Sequence, residues 1–182
     1  IAFSQDPAVY ELLWRMRKDT FPAVGAVREN GTTVIIEDVT FPLEHLAEGV
    51  NRLLDLLDKH QYDEAILFGH ALEGNLHFVF TQRFDQAEEV ARYRAFMEEV
   101  SHLVAVEFGG ALKAEHGTGR NMAPFVELEW GSDAYQLMWR IKRLLDPQGI
   151  LNPDVVLSED PEIHLKNLKP MPEANPLIDK CI

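Results

Sequence analysis

Residues 65–82 constrain the fold more than any other stretch, because they spell out an antiparallel pairing. Two short apolar runs, Ala65 to Ala71 and Leu76 to Gln82, flank Leu72-Glu73-Gly74-Asn75, whose glycine and asparagine suit a tight turn. Such a β-hairpin is marginal in water and needs further strands or helices against its apolar face. Its neighbours supply them. Thr32 to Thr40 is rich in β-branched residues and predicts a strand that ends at Phe41-Pro42. Proline then opens a helix with Leu43, Leu46, Val50, Leu53, Leu54 and Leu57 on one stripe. Asp85 to Glu107 carries Val90, Tyr93, Met97, Val100 and Val104 on one helical face, and Gly109 to Glu115 is expected to return to the sheet.

The predicted order is βαββαβ, an α+β, ferredoxin-like antiparallel sheet with helices on one face. A helix at each end completes it. Asp6-Pro7 starts the first, which carries Leu12, Leu13 and Met16 and is expected to run to about Asp19. Ser132 caps the last, whose Leu137, Met138, Ile141, Leu144 and Leu145 precede a stop at Asp146-Pro147. No internal repeat, low-complexity segment or glycine-rich nucleotide loop is present.

With 182 residues, 46% of them hydrophobic, the chain has ample material for one packed domain. The net charge of −13 repels a phosphate backbone or an anionic membrane surface, which argues against nucleic-acid binding. No apolar run approaches the roughly 20 residues that span a bilayer, and no signal-peptide pattern opens the chain, so a soluble, cytoplasmic protein is expected. The single cysteine, Cys181, rules out an internal disulfide. Ile1 is not a methionine, and the proline-rich stretch Lys169 to Pro176 reads as a linker. Both ends are therefore expected to be boundaries within a longer protein, with residues 1–157 as the domain and 158–182 as a linker tail.

The chemistry concentrates in two segments. With the turn centred between Glu73 and Gly74, the hairpin pairs 72 with 75, 71 with 76, and 70 with 77. His70 and His77 then oppose each other on one face, with Cβ atoms about 4.5 to 5.5 Å apart, close enough for one ion to bind both imidazoles. Leu76, Phe78 and Phe80 point to the other face, under the helices, so the histidine face is expected to be open or to meet a partner. An ordinary surface or core pair of histidines has the same spacing. In Ala114-Glu115-His116-Gly117-Thr118-Gly119-Arg120 a carboxylate and a histidine sit together at a predicted strand end. Glu115 suits the third ligand of a site with open positions, and His116 an acid/base beside it. A solvated loop start with turning glycines fits the same residues.

At these residues the chain resembles the C-terminal domain of the FAD-linked oxidases, in the group of D-2-hydroxyglutarate dehydrogenase, D-lactate dehydrogenase and the glycolate oxidase flavin subunit. The group's Gly-His-x-Gly-Asp-Gly-Asn-Leu-His, Glu-His-Gly-x-Gly and Leu-Asp-Pro-x-Gly-Ile-Leu-Asn-Pro motifs stand here as Gly69 to His77, Glu115 to Gly119 and Leu145 to Pro153. Arg17-Lys18 and Glu37 to Pro42 also look like their counterparts. The resemblance implies a divalent metal, typically zinc, on His70, His77 and Glu115, and His116 as acceptor of a 2-hydroxy acid's hydroxyl proton. It implies Arg17 as the clamp on the substrate carboxylate and Asn152 as a residue near the flavin. The FAD itself would lie in a separate flavin domain, the partner of this one, and the surface meant for that domain would allow self-association, a possible homo-oligomer.

Departures from the pattern bear on the substrate. Leu72 and Glu73 replace glycine and aspartate, which alters the turn. Where the hydroxyglutarate enzymes place a lysine and an asparagine in the substrate site, this chain has Ile36 and Val79. A second carboxylate is therefore not implied, and the 2-hydroxy acid stays open. Asn175 to Ile182 resembles the entry to the Cys-x-x-Cys iron-sulfur segment of long, fused members, so an iron-sulfur cluster is expected in the parent only. Two other classes fit the residues alone: a ferredoxin-like binding or regulatory module without catalysis, and a metallohydrolase that activates water on the same ligands.

Overall fold

The computed structural model describes residues 4–169, without the side chains of residues 20, 21 and 23–27. Helix α1 (Pro7–Val27) is followed by strand β1 (Thr33–Thr40), a 3-10 turn (Leu43–His45), α2 (Leu46–Lys59), the strands β2 (Ile66–His70) and β3 (Asn75–Gln82), and α3 (Ala87–His102). A π-helical turn (Leu103–Glu107), the short α4 (Gly119–Met122) and α5 (Val126–Leu145) complete the order. The three strands form an antiparallel sheet in the order β1-β3-β2.

One face of that sheet is the core. Leu76, Phe78 and Phe80 of β3 and Val39 of β1 are buried under Leu53 and Leu57 of α2 and Tyr93, Phe96, Met97 and Val100 of α3. Phe96 meets Phe78 and Phe80 edge-on, and Tyr62, between α2 and β2, packs against Phe80 and donates a 2.6 Å hydrogen bond to the buried Gln82. Leu76, Phe78 and Phe80 of β3 and Tyr93, Met97 and Val100 of α3 face the core as expected, and so do Leu53 and Leu57 of α2, but Leu43 and Leu54 of the expected α2 stripe are exposed.

The expected fourth strand does not form. Over 109–115 only Ala111 pairs with the sheet, exchanging hydrogen bonds of 2.9 and 3.0 Å with Thr40 at the outer edge of β1. The reason lies in the side chains of β1. The N–H groups of Glu115 and His116 go to the Asp38 carboxylate, and Lys113 bridges Glu37 and Asp38, so the segment is held by side chains instead of a backbone ladder. The observed architecture is an α+β fold on three strands, βαββα, with one isolated bridge where the last strand of βαββαβ was expected.

Of the two end helices, the first runs longer than expected, while the last has a break before Ser132, where it was expected to start, and the expected stop before Asp146-Pro147. In α1, Asp6 accepts from the Ala8 N–H, as a capping residue does, but the helix continues past Asp19 and through Pro22. A proline inside a helix removes one hydrogen bond and need not end the element. In α5, Gly131 takes φ 77° and ψ 160°, so the helix is broken just before Ser132 and stops at Leu145. Residues 158–169 pack on the domain. The Tyr135 hydroxyl donates to the Ser158 carbonyl at 3.0 Å, and Ile163 and His164 are buried. Of the expected linker tail, residues 170–182 lie outside the described residues.

Candidate metal centre

The hairpin turn is longer than two residues. Ala71 to Glu73 form a 3-10 turn and Gly74 closes it in the left-handed region at φ 67°, so His70 pairs with Asn75 and Phe68 with His77. The expected 70-with-77 pairing is thus two residues out of register, because the turn holds more of the chain. A shift of two keeps every side chain on its face. His70 and His77 become diagonal neighbours, with ring centroids 5.4 Å apart and planes nearly perpendicular. Gly74 has a second constraint: a side chain there would run into the Phe41 carbonyl oxygen, 2.1 Å from an added Cβ.

Glu115 reaches this pair from the segment after Ala111. Its Oε1 lies 3.1 Å from His70 Nε2 and 3.0 Å from His77 Nε2. One ligand atom from each of the three residues falls within 4.8 Å of the other two. A tetrahedral ion with bonds of 2.0 to 2.1 Å separates its ligand atoms by about 3.3 Å, so two of the three spacings need little change. His70 and Glu115 are about half exposed, whereas His77 is buried. Its Nδ1 has no hydrogen-bond partner among the described residues. Burial and the neighbouring His116 hold the His77 pKa below the ordinary histidine value, against the attraction of Glu115, which keeps the imidazole neutral as a ligand must be. Two imidazoles and a carboxylate are a donor set that fits zinc.

A second grouping, Asp38, His77 and His116, also meets the distance requirement. Its carboxylate is already engaged: Asp38 accepts from the Glu115 and His116 N–H groups at 2.6 and 3.2 Å, and the Lys113 ammonium stands 3.4 Å from the other oxygen. A cation is thus in place there before any metal arrives. Burial opposes ionisation of Asp38, but the Glu115 N–H, Lys113 and His116 together hold its pKa below the usual carboxylate value. Among the described residues, the His70-His77-Glu115 group has no lysine or arginine in its ion pairs.

The surroundings complete the geometry. His116 stacks on His77, with centroids 4.8 Å apart and planes 14° from parallel, and turns Nδ1 toward Asp38 at 3.3 Å. Phe68 lies 5.3 Å from the His77 ring, and the Arg17 guanidinium of α1 sits over Phe68 at 5.2 Å. So α1 lies on the histidine face, and Asn75, His77 and Val79 of β3 are buried there. That face, expected to be open or to meet a partner, is roofed in part by α1, although His70 remains accessible. Ile36 and Val79 pair with each other on the same face. Asn152 is not brought to this cluster. It has φ 47° and lines a separate hollow of about 250 Å³ with Met138, Lys142, Leu151, Val156 and Leu157. Asp38, Lys113 and Phe68 were missed as site residues. Two adjacent acids inside a β-branched strand, one of which must face each side, were the available signal.

Residues 1–156 match the family described as FAD linked oxidases, C-terminal domain. Among curated proteins, the chain is 35% identical over 154 residues to D-lactate dehydrogenase (cytochrome), mitochondrial, of Arabidopsis thaliana, covering 83% of this chain and 26% of that protein. It is 34% identical to the glycolate oxidase subunit GlcD of Bacillus subtilis, over 76% of this chain and 29% of the relative. With D-lactate dehydrogenase of Anaerostipes hadrus the identity is 30%, over 76% of this chain and 30% of the relative. The chain therefore spans less than a third of the length of these relatives. None of the described helices is long and apolar enough to cross a membrane.

Proposed function

We propose, since this chain belongs to the family of FAD-linked oxidase C-terminal domains, that it is the substrate- and metal-binding domain of an FAD-dependent 2-hydroxy-acid dehydrogenase. The observation that carries the reading is the convergence of His70, His77 and Glu115 on one point of the sheet face. Relatives named for D-lactate and glycolate oxidation support the substrate class.

His70, His77 and Glu115 would hold the ion. Zinc, when bound there, supplies polarisation of the substrate's hydroxyl and carboxylate. Arg17 supplies a planar, bidentate donor for the carboxylate, and its stacking on Phe68 fixes the guanidinium near the histidines. His116 accepts the hydroxyl proton on Nε2, since its Nδ1 faces Asp38. FAD, when bound by another domain of the parent protein, would supply the acceptor for a Cα hydride, the chemistry that turns a 2-hydroxy acid into a 2-oxo acid. Onward transfer to an iron-sulfur segment belongs to the same reading and rests on the tail sequence, as the role of Asn152 near the flavin rests on its motif.

The test is a zinc titration of the metal-stripped chain at neutral pH. One site per chain is expected, and His70→Ala or His77→Ala should each abolish it without unfolding the domain. If both variants bind zinc as the parent does, the metal reading is wrong. In the full-length flavoenzyme, His116→Ala should lower kcat by about a hundredfold or more with metal content retained. Loss of metal in that variant would mean that His116, and not Glu115, is the ligand.

A further inference from the structure

Glu115 and His116 are consecutive residues given different tasks in the proposed function, and one buried group holds both. Asp38 is fully buried on β1, beside His77 across the antiparallel pair. Its Oδ2 accepts the backbone N–H of Glu115 at 2.6 Å and of His116 at 3.2 Å. Its Oδ1 faces His116 Nδ1 at 3.3 Å and Lys113 Nζ at 3.4 Å, as ionic neighbours without an aligned hydrogen bond. Lys113 also bridges to the buried Glu37, whose other oxygen accepts from Asn121 at 2.8 Å. The segment 113–121 is thus fastened to β1 by two carboxylates, one on each face of the strand.

A carboxylate with no exposed surface is costly unless its charge is used. Here one oxygen fixes the backbone from which the Glu115 carboxylate reaches the two histidines. The other faces the ring that stacks on His77. A proton on Nδ1, the nitrogen that faces the Asp38 carboxylate, leaves Nε2 as the lone-pair nitrogen of a neutral imidazole.

We infer that Asp38 is the positioning residue of this site, setting the Glu115 carboxylate for metal binding and selecting the His116 tautomer that accepts a proton. The inference rests on the proposed function and adds to it a residue that touches neither the metal nor the substrate.

Two substitutions separate the two tasks. An asparagine oxygen can still accept both N–H groups, while its amide nitrogen, turned toward His116, donates to Nδ1 and leaves the proton on Nε2. Alanine removes both functions. Zinc titration of the 182-residue chain should show Asp38→Ala weakened by about tenfold or more, the scale of losing a group that orients a metal ligand, and Asp38→Asn within about threefold of the parent. In the full-length flavoenzyme, Asp38→Asn should lower kcat by at least about a hundredfold, with KM within about threefold. Thermal unfolding of the metal-free variants checks that they are folded; if Asp38→Ala is not, the asparagine variant decides. Wild-type kcat in folded Asp38→Asn overturns the inference while leaving the proposed function standing. Absence of zinc binding by the unsubstituted chain overturns both.

Discussion

Gly69 has no room for a side chain, and the obstruction is backbone. An added Cβ would stand 2.2 Å from the Asn75 carbonyl oxygen and 2.9 Å from the Leu76 Cα. Neither can rotate away, so Gly69→Ala must push β2 from β3 just beside His70. The expected loss is about 1 to 3 kcal/mol, the usual cost of overpacking, read by urea unfolding of the metal-free chain, with weaker zinc binding because His70 moves with the strand. Unchanged stability would mean that the hairpin is looser than described here. Lys113 gives a complementary case. It is the cation between the buried Glu37 and Asp38, so Lys113→Met leaves two carboxylates in the interior without their counter-charge. Removing one partner from a buried pair costs about 3 to 5 kcal/mol, and unfolding measurements should place this variant well below Gly69→Ala.

At the level of elements, the core-facing Leu76, Phe78 and Phe80 of β3, the stripe of α3 and the inner leucines of α2 were legible because packing one face against the core leaves a periodic apolar pattern in the sequence. The hairpin register was not. Turn length depends on how 71–74 coil, and Leu72-Glu73-Gly74-Asn75 suits a two-residue turn as well as the longer one. His70 and His77 still meet because an error of two preserves the face. The missing fourth strand could not be read from Gly109 to Glu115 either, since the competing acceptor, Asp38, lies 77 positions away from Glu115. The packing of residues 158–169 was also hidden, its anchors Ile163 and His164 being too few to make a period. That segment carries a prediction of its own. His164 is buried against Phe125 and Tyr93, with neither ring nitrogen hydrogen-bonded among the described residues. Burial, then Arg94 of α3, lowers its pKa, while Glu162 and Asp160 of its own segment pull the other way. A lowered histidine pKa means that the folded state disfavours the proton. The contribution of His164 to docking is therefore complete above the ordinary value of about 6.5 and is lost as the pH falls below it toward the folded value. Hydrogen exchange in 158–169 should accelerate over that acidic range in the parent chain and much less in His164→Phe. Equal acceleration in both would assign the effect to other groups.

The whole molecule shows how much apolar surface this domain leaves uncovered. On α5 and the turn after it, Leu137, Ile141, Leu144, Leu145, Ile150 and Leu151 are all exposed, Leu144 by 80% and Leu145 by 73%. Apolar residues exposed at helical spacing, as Leu137, Ile141, Leu144 and Leu145 are, suit a contact face, and under the proposed function its occupant is the flavin-bearing part of the same protein. Purified alone, the chain should be colourless and should oxidise no 2-hydroxy acid, since the hydride acceptor belongs to that part. The bare face should also drive self-association, opposed by the repulsion between copies that each carry a net charge of −13. These two forces respond oppositely to salt. Screening shortens the reach of the repulsion to about 10 Å at 0.1 M and about 3 Å at 1 M ionic strength, while apolar burial is not weakened. Sedimentation velocity should therefore find a monomer at low salt and low concentration, and a larger species as either rises. Leu144→Glu with Leu145→Glu should restore the monomer under both conditions without changing zinc binding, because the pair lies outside the histidine cluster. A chain that stays monomeric at high salt and concentration would mean that this face is not adhesive. Dissociation on adding salt would mean that charge, and not apolar contact, holds the copies together.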